Sequence, residues 1–393
     1  MSETTANPDR QPIPVSVLTG FLGAGKTTLL NALLQDEAMA NTAVIINEFG
    51  EVGLDHLLVE TADENIMEMS SGCLCCTIRG DLIDTLVDLA QRRDEGAIKA
   101  FNRVVIETTG LADPAPVLHT IMSHEWLVRR FRLESVITVV DAVNAEDTLD
   151  AQEEAVKQVA VADRLVLTKT DLVSGLEGEQ KLGRLVRRLR KLAPAARMLN
   201  APTGEAQATS LFDAGLYNAD TKTFDVKKWL SAEAFERPTC RPRIARRREM
   251  ANRDHHHSHD HDHHHDVNRH DDSIRAYCIT TDNAISAMSF DLFLELLRAN
   301  HGPGLLRVKG IVKVEEDPDK PFIIHGVQHV FHPPVQLDTW PSDEQRTRLV
   351  FITRDVEKTQ IEALLKAFTD RVTDTAAVFR DETLSLRSGG LLD

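Results

Sequence analysis

Eight residues constrain the fold of this 393-residue chain more than any others: Gly20-Phe21-Leu22-Gly23-Ala24-Gly25-Lys26-Thr27. They match G-x-x-x-x-G-K-[ST]. They also fall between an apolar run, Val15 to Leu18, and a helical pattern that opens at Lys26. A loop in that context joins a buried parallel strand to a helix. Its glycines let backbone N–H groups close around phosphate oxygens, and the helix N-terminus adds partial positive charge. The expected phosphate-binding set is Gly20, Gly23, Ala24, Gly25, Lys26, Thr27 and Thr28. Lys26 should reach the outer phosphates, and the Thr27 hydroxyl should bind Mg²⁺.

The rest of the first half agrees with such a loop. Apolar runs at 13–18, 43–47, 103–106, 135–140 and 164–168 are continuous rather than alternating. That suits strands buried on both faces of a parallel sheet. Helical patterns at 26–37, 79–92, 151–160 and 178–192 separate them. The expected fold is α/β: a phosphate-loop NTPase domain with a doubly wound, mostly parallel sheet. The pattern dissolves after about residue 200, then resumes near Ser273. There, strand-like runs at 274–280, 305–313, 321–331 and 348–353 alternate with helical ones at 288–299 and 357–368. A smaller α+β C-terminal domain is expected. The implied division is a disordered leader at 1–11, a nucleotide domain at 12–235, a linker at 236–272, a second domain at 273–380 and a tail at 381–393.

A carboxylate is needed near a phosphate-bound metal. Glu107 ends the apolar run 103–106, at the strand tip where ligands bind in this fold. Gly110, three residues on, is placed to offer its N–H to the terminal phosphate. Asp141, at the tip of the next run, is a weaker rival for the metal. Thr168-Lys169-Thr170-Asp171 follows a strand and resembles the guanine signature [NT]-K-x-D. An Asp there accepts from both donors on the guanine edge, a pair that adenine lacks. Thr168, Lys169 and Asp171 therefore point to GTP. The plainer alternative is that Asp171 caps a helix start.

Three of the five cysteines crowd together at Cys73, Cys75 and Cys76. Adjacent thiolates favour Zn²⁺, Cu(I) or Co²⁺ over a disulfide, and three of them leave one tetrahedral position open for transfer. Asn47-Glu48-Phe49-Gly50-Glu51 follows the second strand, where a nucleotide-sensing switch belongs, and Glu48 or Glu51 is a candidate metal ligand. Nine of the sixteen histidines fall between His255 and His270, interleaved with Asp254, Asp260, Asp262 and Asp266. They read as a metal reservoir in a disordered linker, or as a solvated linker only. His325, His329 and His332 read as structural histidines, with His325 and His329 on one face if their run is a single strand.

Charge sets limits on partners. Forty-five Lys+Arg against 61 Asp+Glu give −16, which argues against a nucleic-acid binder and against an anionic membrane surface. The five arginines from Arg243 to Arg253 adjoin the acidic tract and read as local charge compensation. No apolar run approaches the ~18 residues of a membrane span. The polar start does not read as a signal peptide, so a cytoplasmic protein is expected.

Taken in order, GFLGAGKTT (20–28), INEFGE (46–51), SGCLCC (71–76), ETTGLADP (107–114) and TKTD (168–171) resemble the CobW-type metallochaperone GTPases. The resemblance spans roughly residues 13–375. It implies a GTP hydrolase that loads a metal on Cys73, Cys75 and Cys76 and delivers it to an apo-metalloprotein client or a metal-dependent cofactor-synthesis enzyme. Zinc is the broadest family cargo and cobalt that of the namesake; a storage protein is a further reading. Some relatives carry an extra acid where Ile46 stands here, which weakens a harder metal. The resemblance leaves a monomer and a nucleotide-dependent dimer both open.

Overall fold

The computed structural model describes residues 12–46, 66–68, 77–212, 273–341 and 343–369. The first sheet has seven strands: β1 (Ile13–Gly20), β2 (Thr42–Ile46), β3 (Ile66–Glu68), β4 (Arg103–Glu107), β5 (Phe131–Asp141), β6 (Arg164–Thr168) and β7 (Arg197–Asn200). Their order is β3-β2-β4-β1-β5-β6-β7. Every neighbouring pair is parallel. β1 lies in the middle, and the chain fills one side of it before crossing to the other. The loop that leaves β1 therefore sits at the topological switch point, where such sheets open a crevice.

Why β1 takes the centre is plain from its composition. Val15, Val17 and Leu18 are almost fully buried, and so are Ser16 and Thr19. The two buried hydroxyls are satisfied within the sheet. Ser16 donates to Glu134 Oε2 at 2.9 Å, and Thr19 accepts from Thr108 at 2.8 Å. Helices cover both faces: α1 (Lys26–Leu34), α2 (Thr77–Asp94), α3 (Ala115–Ser123), α4 (Glu125–Arg130), α5 (Ala145–Ala151), α6 (Glu153–Ala160), α7 (Gly175–Leu192) and α8 (Ala208–Leu211).

Several elements differ from the sequence expectation. The helical run expected at 151–160 is α6, which starts at Glu153; Gln152 is extended and separates it from α5 (Ala145–Ala151), a helix the pattern did not show. α3 was not expected: seven of its nine residues, including His119, are buried. The short strand β7 also escaped the pattern.

The second sheet is antiparallel. It contains β8 (Ile274–Thr281), β9 (Leu305–Val312), β10 (Phe322–Val327), β11 (Val330–Phe331), β12 (Val335–Gln336) and β13 (Thr347–Arg354). The order is β11-β10-β9-β13-β8, with β12 beside β10. Helices α9 (Ala287–His301) and α10 (Lys358–Thr369) pack on one face through Phe290, Phe293, Leu297, Ile361 and Leu365. The run 321–331 is a hairpin rather than one strand. Gln328 takes φ +51° at its turn, so His325 is buried in β10 while His329 is exposed at the turn.

The other face of this sheet docks on the first domain. Leu306, Ile352 and Ile274 join the apolar cluster of α6 and α7. Beside them, Asp163 just before β6 meets three buried basic groups. Arg307 Nη2 is 2.6 Å from its Oδ2, Lys309 pairs with its Oδ1, and His325 lies 3.5 Å from Arg307. Asp163 also accepts from the Val136 backbone N–H at 2.9 Å. Burial would raise this carboxyl, but Arg307 and Lys309 outweigh it and hold it well below the usual range.

Candidate nucleotide and metal site

The phosphate loop is built by backbone conformations that only glycine takes easily. Gly20 has φ +142°, and a Cβ there would meet the Val139 carbonyl oxygen at 2.4 Å. Gly25 has φ +92° and forms the N-cap of α1, with no side-chain cap. The first-turn N–H groups of α1 are thus left for an anion. Lys26 leans back on the loop, its Nζ donating to the Phe21 carbonyl at 3.4 Å. Thr28 follows in the same first turn.

Thr27 Oγ1 donates to Glu107 Oε1 at 3.1 Å. Glu107 is 4% exposed at the tip of β4. A hydroxyl and a carboxylate held together at a helix N-terminus are a hard-oxygen pair, the donor type that Mg²⁺ prefers. Beyond Glu107 the chain passes directly over the phosphate loop. A Cβ on Gly110 would stand 2.7 Å from Leu22 N and 2.8 Å from Leu22 Cα. The neighbouring Thr109 hydroxyl is buried without a hydrogen-bond partner among the described residues. These features fit a terminal phosphate and its Mg²⁺.

The base-recognition segment is tied to the same loop. Thr168 Oγ1 donates to the Ala24 carbonyl at 2.7 Å. Lys169 adopts φ +57°, and its Nζ donates to the Gly23 carbonyl at 2.8 Å and to Asp141 Oδ2 at 2.7 Å. Asp141 also accepts from the Asn144 side chain and the Val143 N–H. Burial acts to raise the Asp141 carboxyl, but Lys169, Asn144 and the Val143 N–H together lower it. Asp141 is thereby committed to Lys169 and the following turn, which removes it as a rival for the metal. Asp171 is exposed, and α7 starts only at Gly175 with Ser174 as its N-cap, so Asp171 does not cap that helix.

Sequence reasoning missed two supports. Thr170 Oγ1 donates to Asn200 Oδ1 at 2.7 Å, linking the TKTD turn to the tip of β7. Gln158 of α6 donates to the carbonyls of Gly110 and Ala112, at 3.3 and 3.0 Å, and braces the loop after β4. Neither follows a local motif, so only the fold reveals them.

Glu48, Glu51, Cys73, Cys75, Cys76 and the histidine tract at 255–270 lie outside the described residues. Among the described residues no group of three metal-ligating side chains converges. The register does align the ends of three strands: Ile46 is level with both Glu107 and Glu68. β2 and β3 therefore end at the edge where Glu107 stands. Among the described residues no helix is long and apolar enough to cross a membrane.

A parallel sheet with this loop at its switch point, Thr27 against Glu107, and a TKTD turn tied to the loop define a phosphate-loop GTP hydrolase. Residues 14–200 match the CobW/HypB/UreG nucleotide-binding domain, and residues 274–369 match the cobalamin synthesis protein cobW C-terminal domain. The chain belongs to the CobW family of metallochaperone GTPases. It is 31% identical over 352 residues to the zinc chaperone YjiA of Escherichia coli, covering 90% of this chain and 97% of that one. It is 33% identical over 247 residues to the zinc chaperone CobW of a Sinorhizobium species, covering 54% of this chain and 66% of that one. The crystal structure of Zn(II)-bound YjiA GTPase from E. coli aligns with a TM-score of 0.60 at 27% identity, covering 91% of this chain and 99% of that one.

Proposed function

We propose that this GTPase carries zinc and hands it to a protein client, with release governed by the state of the bound nucleotide. In this reading Cys73, Cys75 and Cys76 hold the metal as cargo, with Glu51 from the switch segment as a further ligand. Three thiolates leave one tetrahedral position, and a ligand from the switch that fills it only in one nucleotide state suits a metal that must leave again. The observation that carries the reading is the level ending of β2, β3 and β4. In sequence, Glu51 comes five residues after the end of β2 and Cys73 five residues after the end of β3, two strands that end level with Glu107. Such short tethers support a reading in which the metal ligands lie close to the terminal phosphate. The full-length similarity to a protein named a zinc chaperone supports zinc as the cargo.

The described residues have definite tasks in hydrolysis. Gly20, Gly23, Ala24 and Gly25 wrap backbone N–H groups around the phosphates. Lys26 neutralises their charge once it exchanges the Phe21 carbonyl for them. Thr27 and Glu107 would hold Mg²⁺, which offsets the charge developing on the phosphate oxygens. Gly110 presents its N–H to the terminal phosphate. Asp171 selects guanine, with Thr168 and Lys169 fixing the turn against the loop. Loss of the terminal phosphate removes the contacts that order the switch and so lowers metal affinity.

Competitive zinc titration tests the coupling, using the full chain with Mg²⁺ and either GDP or a non-hydrolysable GTP analogue. Tighter zinc binding with the analogue is expected. Equal affinity in both states overturns the release mechanism. A Co²⁺ preference at buffered concentrations moves the cargo to cobalt. Metal release unchanged by Lys26→Ala marks a storage protein.

A further inference from the structure

The two domains enclose a cleft of about 410 Å³ that the GTPase chemistry does not use. Its walls are Lys157 of α6, Arg298 and the Gly302-Pro303 turn after α9, Leu306 of β9, Gln328 and His329 of the hairpin turn, and Arg354 at the end of β13. The volume falls within the roughly 300–1,000 Å³ of small-ligand sites. Four of the lining side chains are basic, and among the described residues none of the lining is a carboxylate. In a chain of net charge −16 that is a local reversal of sign.

Two carboxylates approach the cleft from its flank. Glu153 pairs with Arg354 and lies 3.1 Å from Lys157, while Asp113 lies 3.6 Å from Lys157. They hold two of the cations in place without matching the full positive charge. The excess sits at the exposed mouth, on Arg298 and beside His329. The Arg298 guanidinium lies over the Phe331 ring, 5.9 Å from its centroid. Stacking in this way leaves a planar fork whose edge suits a carboxylate. Pro303 and Leu306 give the cleft an apolar wall.

We propose that this interdomain cleft is a docking site for an acidic peptide segment of a protein partner, recognised through a pair of carboxylates. The mixture of cations and an apolar wall fits a peptide better than a bare anion. The acidity of the whole chain works against a nucleic-acid strand, whose charge extends well beyond one cleft.

The site also has a route to the nucleotide. Lys157 and Gln328 both face Asp113 Oδ2, at 3.6 and 3.5 Å. Asp113 closes the loop that carries Thr109 and Gly110, and its other oxygen accepts the Ala115 N–H at the start of α3. An acidic occupant competes with Asp113 for Lys157, so docking is felt at the loop over the terminal phosphate.

The test is fluorescence anisotropy of a labelled tetraglutamate peptide with the full chain, without added metal, over a range of salt. The arginines between 241 and 253 also attract such a peptide, so the comparison with Arg298→Glu isolates the cleft. Arg298 is exposed and outside the nucleotide site, so the variant should keep basal GTP hydrolysis. At least tenfold weaker binding by Arg298→Glu, and by His329→Glu, is expected. Saturating peptide should also change GTP turnover in the wild type but not in Arg298→Glu. Absent binding, or equal affinity in wild type and variants, overturns the site. Tighter binding of succinate or of a single-stranded oligonucleotide overturns the peptide as occupant. An unchanged turnover overturns the link through Asp113.

Discussion

Lys169 Nζ stands between Asp141 Oδ2, at 2.7 Å, and the Gly23 carbonyl, at 2.8 Å. One ammonium thus joins the base-recognition turn to the phosphate loop, and an acid on a third strand holds it there. Lys169 accepts a left-handed backbone, φ +57°, to make this link. That conformation is uncommon for a side chain other than glycine, Asn or Asp, so the surrounding contacts must hold it.

Asp141→Asn should therefore weaken nucleotide binding more than chemistry. Removing the charge from a charge-assisted bond costs about 1.4 kcal/mol, or about tenfold in affinity. Steady-state kinetics are expected to show KM for GTP rising with kcat changed far less. A fall in kcat at constant KM would instead place Asp141 at the reacting phosphate.

Gly110 has no room for a side chain. A methyl group would meet Leu22 backbone atoms at 2.7 and 2.8 Å, so either the phosphate loop or the loop after β4 must shift. Gly110→Ala should cost about 1–3 kcal/mol of overpacking strain at this contact. GTP turnover is expected to fall by at least tenfold while the circular dichroism spectrum and the zinc content stay those of the wild type.

Asp163 faces Arg307, Lys309 and His325 in the described interface. Asp163→Ala removes the carboxylate with which both buried cations, Arg307 and Lys309, pair. Breaking a buried pair from one side costs about 3–5 kcal/mol. Denaturant unfolding should show the C-terminal sheet parting from the first domain at lower denaturant. Limited proteolysis should then cut between the domains sooner. Unaltered unfolding would mean that the apolar contacts of Leu306 and Ile352 hold the interface by themselves.

The same cluster gives the docking a pH dependence. Burial first, and then Arg307 and Lys309, hold the His325 imidazole neutral; Asp163 opposes them, and His332 adds to the downward shift. A base whose folded-state pKa lies below its unfolded value of about 6.5 resists protonation in the docked state. Its contribution is complete above that value and is lost as pH falls below it, by at most about 1.4 kcal/mol per unit. Thermal unfolding at pH 7.5 and 5.5 should show a larger loss for the wild type than for His325→Gln. An equal loss in both would remove His325 as the titrating group.

The motifs of the candidate nucleotide site were legible because each piece is local. The glycines of the phosphate loop, the acid at the tip of β4 and the TKTD turn are short strings whose strand context shows in the same few residues. The parts that stayed hidden are contacts between strings. Asp141 looked like a metal acid because a strand-tip carboxylate points into the crevice, and nothing local announces a lysine 28 residues away. Gln158 lies on a helix whose pattern reads as ordinary packing, yet it braces the loop at Gly110. The hairpin at Gln328 was concealed within one strand-like stretch, since its turn uses a left-handed Gln rather than glycine.

The sequence alone determined the parallel sheet, the phosphate loop, the guanine-type turn and the family, because periodicity and motif spacing act over a few residues and need no distant partner. Tertiary structure decided how the two domains meet. Burying Arg307, Lys309 and His325 is costly unless an acid comes to them. That acid, Asp163, precedes Arg307 by 144 residues. Neither the buried charge cluster nor the basic cleft beside it exists until the second sheet lies against the first.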